Sequence, residues 1–165
     1  MGGFCNMDIE IRPANEGDYQ RLLELLAQIS SLHHEGRPDF FRADAKKYGL
    51  EELREILTNP EKPVFAAVSP GGLLIGYAFC QLRDFSGHAV CNDIKALHID
   101  DICVDEEYRR CGTGALLLEK CKELAKEWGC HSIQLNVWKF NDSAVKFYEK
   151  GGFEARAFTM EYILE

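Results

Sequence analysis

No apolar run in this 165-residue chain approaches the roughly 20 residues that span a bilayer, so no membrane partner is expected. The first six residues, Met1-Gly2-Gly3-Phe4-Cys5-Asn6, lack both a basic start and an apolar core, and export is not expected. Gly2 would suit N-myristoylation, but Asn6 stands where that signal places a hydroxyl residue. No segment is of low complexity, and 46% hydrophobic with 28% charged residues is the composition of an ordinary globular domain. Positive charge is the scarcer sign. With 19 Lys and Arg against 27 Asp and Glu the net charge is −8, which argues against neutralising a row of phosphates, so nucleic acid is not an expected partner.

The seven cysteines, Cys5, Cys80, Cys91, Cys103, Cys111, Cys121 and Cys130, are odd in number and contain no C-x-x-C pair. They read as reduced thiols of a cytoplasmic protein. His33, His34 and Glu35 adjoin one another, but neighbours in sequence rarely converge on one ion, and no metal is expected.

The length suits one domain, running from Met7 to Glu165 with residues 1–6 as a short extension. Ile9 and Ile11 alternate with Glu10 and Arg12 in an opening strand that Pro13 ends. Asn15 then offers a helix cap, and Leu22, Leu26 and Ile29 recur at helical spacing up to about His33. A second helix carries Leu50, Leu53, Ile56 and Leu57 before Asn59-Pro60. Val64–Val68 and Leu73–Phe79 flank the turn Ser69-Pro70-Gly71-Gly72 as a hairpin, and Ala96–Val104 is a further strand. Leu116–Trp128 reads as a helix stopped by Gly129, Ser132–Trp138 as a strand, Asn141–Lys150 as a helix, and Phe153–Leu164 as a terminal strand or pair. The order β, α, α, β, β, β, α, β, α, β implies a mixed sheet covered by helices.

The segment Arg109-Arg110-Cys111-Gly112-Thr113-Gly114-Ala115 lies between a strand and a helix. Glycines there allow close approach to the first-turn N–H groups, whose dipole favours an anion. A P-loop is excluded because Ala115, not Lys, follows Gly114, and a dinucleotide site because its third glycine would fall at Leu117. The pyrophosphate of coenzyme A fits.

These residues resemble the Gcn5-related N-acetyltransferase (GNAT) pattern of Gln or Arg, two residues, Gly, one residue, then Gly or Ala. The likeness extends upstream through His98–Arg109 and downstream through Asn136-Val137-Trp138 and Asn141–Phe153. It implies an α/β (α+β) fold with a mixed, mostly antiparallel central sheet of about six to seven strands flanked by helices. It also implies acetyl-CoA as cosubstrate, with Ile102, Cys103 and Val104 holding the pantetheine arm, Arg109 to Ala115 the pyrophosphate, and Asn141 and Tyr148 completing the contacts. By the same resemblance Tyr148 is the general acid for the departing thiolate, and Asp100 the base that deprotonates the amine through a water. Regular pairing would turn Asp101 to the opposite face.

Cys103 and Cys111 lie beside this cofactor, but no His is paired with either, so direct transfer is preferred to an acetyl-cysteine. The implied acceptor wall includes His33, His34, Glu35, Arg37, Asp39 and Phe40. The expected activity is N-acetyltransfer to a primary amine, with a small molecule favoured over a protein and a homodimer left as an option. A longer acyl group is the rival donor, and a non-catalytic acyl-CoA sensor or scaffold of the same fold is the rival function.

Overall fold

The computed structural model describes residues 8–164, so the start at Met7, the extension 1–6 and Glu165 lie outside the described residues. Strand β1, Glu10–Pro13, leads into a single 3-10 turn at Glu16–Asp18, where Asn15 Oδ1 accepts from Gly17 N at 2.9 Å. Helix α1, Tyr19–Gly36, continues past His33 and buries Leu22, Leu25 and Leu26. Helix α2, Leu50–Thr58, buries Leu53.

Strands β2, Val64–Val68, and β3, Leu74–Asp84, form the hairpin. All five residues of β2 are buried, as a strand covered on both faces must be, which is why its sequence runs apolar without alternation. Strand β4, Lys95–Val104, helix α3, Thr113–Glu127, strand β5, Ser132–Leu135, and helix α4, Asp142–Lys150, complete the chain. The sheet order is β1-β2-β3-β4-β5, antiparallel except for the parallel pair β4 and β5.

Two apolar clusters sandwich this sheet. On one face Leu22, Leu25, Leu26 and Leu53 pack on Val64, Tyr77, Phe79 and Cys103. On the other, Leu117, Leu118 and Cys121 of α3 and Phe147 of α4 pack on Phe65, Ala67, Ile75, Leu97 and Ile99.

Three expectations need correction. The described sheet has five strands, not six or seven, and no strand is assigned within Phe153–Leu164. A strand requires a partner edge, and this segment pairs with no strand among the described residues; Phe158, Met160, Tyr162 and Leu164 are each more than four-fifths exposed. β5 stops at Leu135 rather than Trp138, because its parallel pairing with β4 ends there, opposite Ile99.

Candidate active site

Strand β4 is irregular where it matters most. Ala78 pairs with Ile102 and Phe79 with Asp101, but Cys80 pairs with Ile99, so Asp100 is an extra residue bulged out of the β3–β4 ladder. Before the bulge Leu97 and Ile99 face α3; after it Asp101 and Cys103 face α1 and α2. The regular alternation that would separate the two carboxylates is broken, and both converge on one cation. Lys47 Nζ lies 2.9 Å from Asp100 Oδ2 and 3.1 Å from Asp101 Oδ2. The Tyr48 hydroxyl donates to Asp100 at 2.8 Å, and the Tyr77 hydroxyl to Asp101 at 3.3 Å.

The pair is electrostatically divided. Burial pushes the Asp100 carboxyl upward, but Lys47 and the hydrogen bonds from Lys47 and Tyr48 outweigh it and hold the pKa below the ordinary value. For Asp101 burial wins over Lys47, and its pKa is raised. His33, on the same cavity, is lowered by its burial, though the charge of Asp101 opposes this.

Asp100, Asp101, Ile102, Lys47, Asn141 and Tyr148 line one cavity of about 440 Å³. Aromatic rings form its far wall: Phe41 stacks on His33 at 5.1 Å and meets Trp138 edge-on at 5.1 Å. Phe140 folds back over the end of α1, where a Cβ on Gly36 would sit 2.2 Å from its ring, so only glycine permits this closure. Of the expected acceptor wall, His33 lines the cavity and Phe40 abuts Trp138 at 5.4 Å. His34 is engaged with the Phe41 carbonyl at 2.8 Å, Arg37 with Asp39 and Glu161, and Glu35 is exposed.

β4 runs on to Val104, while its pairing with β5 ends at Ile99 opposite Leu135. From Asp100 to Val104 the edge of β4 that would face β5 therefore carries no strand among the described residues. Beyond it, Arg110 and Gly112 take left-handed backbone at φ 65° and 82°, and α3 begins with no side chain capping its first turn. The first-turn N–H groups have no intrahelical partner, the preceding Arg109 and Arg110 are both exposed, and the buried Thr113 hydroxyl has no partner among the described residues. A phosphate fits there. Cys111, Gly114 and Ala115 complete this loop, which adjoins the end of β4 without lining the cavity.

A family model described as the acetyltransferase (GNAT) family matches residues 27–153. The chain belongs to this family. As an acetyltransferase it moves an acetyl group to an amine. It is 30% identical to a glucosamine 6-phosphate N-acetyltransferase of Trypanosoma brucei brucei over 152 residues, 90% of this chain and 91% of that one. It is 28% identical to a thialysine N-epsilon-acetyltransferase of Mus musculus over 144 residues, 85% of this chain and 79% of the other. Among solved structures, a mutant of the BH1408 protein of Bacillus halodurans superposes with a TM-score of 0.91 at 28% identity, covering 94% of this chain and 99% of that one.

In this acetyltransferase the Tyr148 hydroxyl has no hydrogen-bond partner among the described residues, and its ring is held by Phe147 and Phe153 at 5.1 and 5.7 Å. Burial and the charge of Asp101 raise its pKa, so it stays protonated. Asn141 Oδ1 caps α4 by accepting from Ala144 N at 3.1 Å while its residue lines the cavity. Cys103 is buried against the Leu25 carbonyl, and burial together with Asp101 pushes its thiol up to about 12, a poor source of thiolate. Lys47, Tyr48 and Phe41 carry no motif; they reach the site through packing of the loop between α1 and α2, whose sequence shows no periodicity, whereas Trp138 comes from the motif segment after β5.

Proposed function

We propose that this acetyltransferase takes its acetyl group from acetyl-coenzyme A and passes it directly to the primary amine of a small cationic molecule. The observation that carries this reading is one cavity containing two convergent carboxylates and a phenol with an unengaged hydroxyl. The carboxylates attract the ammonium. Asp100, held ionised, serves mainly as its anchor, and Asp101, with its raised pKa, accepts a proton more readily. Tyr148 donates to the departing thiolate. An N–H of the unpaired β4 edge near Ile102 polarises the thioester carbonyl, and the edge through Cys103 and Val104 bonds the pantetheine arm as a strand would. Arg109 to Ala115 hold the pyrophosphate.

A cavity of about 440 Å³ falls within the range of small-molecule sites, which supports a small acceptor over a folded protein. The odd number of scattered cysteines, with no C-x-x-C pair, supports a reducing, cytoplasmic setting. Among the described residues no helix is long and apolar enough to cross a membrane. The same proposal includes a homodimer, supported by the exposed apolar segment after Phe153 and by the outer edge of β5, which pairs with no strand among the described residues.

Thiol release from acetyl-CoA against a panel of polyamines, amino sugars and amino acids tests the activity. The phosphate loop is tested by Gly112→Asn. Asparagine tolerates left-handed backbone, and a Cβ at Gly112 meets nothing within 4 Å, so the fold should persist while the side chain intrudes on the anion. Coenzyme affinity should fall at least tenfold by calorimetry; unchanged affinity would place the pyrophosphate elsewhere.

A further inference from the structure

Every acidic group aimed into the acceptor end of the cavity is already engaged, and the group engaging it is chemically an acceptor. Lys47 is a primary amine on a flexible chain, placed between two carboxylates at 2.9 and 3.1 Å. Its Nζ also lies 5.5 Å from the Tyr48 ring centre, and its side chain keeps 31% of its exposure, so it is neither locked in a core nor free on the surface. Other lysine pairs have a different character: Lys120 and Lys122 bind Glu123 and Glu119 three residues away along one exposed helix face. Lys47 instead reaches carboxylates 53 and 54 positions away, on the same cavity as Tyr148.

A structural ion pair fits this placement less well. Stability alone does not call for a bulge that turns two adjacent carboxylates onto one solvent-reachable amine beside a half-buried phenol with no partner. An external amine attracted by Asp100 and Asp101 would have to occupy the position that Lys47 Nζ fills.

We propose that Lys47 is an internal acceptor: it occupies the acceptor subsite and is acetylated by the enzyme itself when no external amine displaces it. This rests on the acetyl-transfer reading above. The ammonium gives a proton to Asp101, and the neutral Nζ attacks the thioester carbonyl carbon. The N–C bond forms, the C–S bond breaks, the thiolate takes its proton from Tyr148, and the proton that the new amide nitrogen sheds returns to the Tyr148 phenolate. The products are Nε-acetyl-Lys47 and coenzyme A. An amide carries no charge, so the modified side chain loses both ion pairs and leaves the two carboxylates unpaired for a cationic acceptor. Self-acetylation would thus clear the subsite that Lys47 blocks.

The experiment incubates the whole purified protein with acetyl-CoA and no added amine, and follows intact mass and peptide-mapped acetylation. Addition of a single acetyl group is expected at Lys47, ahead of its exposed neighbour Lys46, at a first-order rate independent of protein concentration. The rate should fall at least tenfold in Tyr148→Phe, and a saturating external amine should suppress the labelling. Lys47→Arg, which keeps the charge, should remove that label while leaving other sites unchanged. Labelling of Lys47 no faster than Lys46, a rate proportional to protein concentration, or an unmodified Lys47 would each overturn the proposal. Thiol release with the amine panel, run in parallel, separates this failure from failure of the acetyl-transfer reading.

Discussion

The Tyr148 hydroxyl touches no polar group of the described chain, so deleting it removes chemistry without removing a bond. Tyr148→Phe should bind coenzyme and melt as the parent does, while turnover falls at least tenfold, within the roughly 10²–10⁴ that a general acid supplies. The raised pKa gives the sign of the pH effect: the parent phenol keeps its proton through the ordinary tyrosine range, whereas the variant depends on unaided thiolate departure, which improves as pH rises. The deficit should therefore narrow in alkaline assays, and equal rates at neutral pH would leave the mechanism without its acid. Tyr148 was singled out by the resemblance of Asn141–Phe153 to the family's second motif, and Asn141 also as the cap of a helix; both line the cavity. The convergence of Asp100 and Asp101 was not. Alternation is a statement about regular pairing, and a one-residue bulge opposite Phe79 and Cys80 leaves no mark in composition.

Between elements, the junction of β1 with α1 depends on one clamp. Arg12 donates two hydrogen bonds to Asp18, at 2.8 and 2.9 Å, and Asp18 also accepts from Asn15 N at 2.8 Å. Burial alone would raise the Asp18 pKa, but Arg12 and the Asn15 amide reverse it and the net value is lowered. A depressed carboxylate pKa stabilises the fold above the unfolded value, and that contribution is lost as pH falls through the folded value. Asp18→Ala should accordingly cost about 2–3 kcal/mol in urea unfolding at neutral pH, the worth of charged hydrogen bonds, and the gap to the parent should close below about pH 4. A constant gap at all pH values would mean that packing, not charge, accounts for the loss. The elements themselves were well marked: Leu22 and Leu26 on α1, the turn at Ser69–Gly72 and the stop at Gly129 fall where the pattern put them. The loop holding Lys47 and Tyr48 was silent, because its order comes from contacts with residues more than 50 positions away.

At the scale of the molecule, the segment from Phe153 to Leu164 was read as a terminal strand or pair, and within it Phe158, Met160 and Tyr162 do alternate with Thr159 and Glu161. What sequence could not supply was the edge it would need. If a second copy provides that edge at β5, a charge on the tail penalises only the assembly: Met160 is 92% exposed in the single chain, so Met160→Lys should leave its unfolding within about 0.5 kcal/mol of the parent. Sedimentation should show a dimer for the parent and a shift toward monomer for the variant; a parent that stays monomeric at all concentrations removes the dimer. The other interrupted edge, where β4 outlasts β5 between Asp100 and Val104, has a consequence of a different kind. On the proposed reading the donor molecule finishes the sheet, so each catalytic cycle repairs and then reopens a gap in the main-chain ladder. Donor recognition along that stretch would then be written in peptide groups that every amino acid shares, leaving Ile102, Cys103 and Val104 to drift under the demands of packing while the grip on the substrate stays the same.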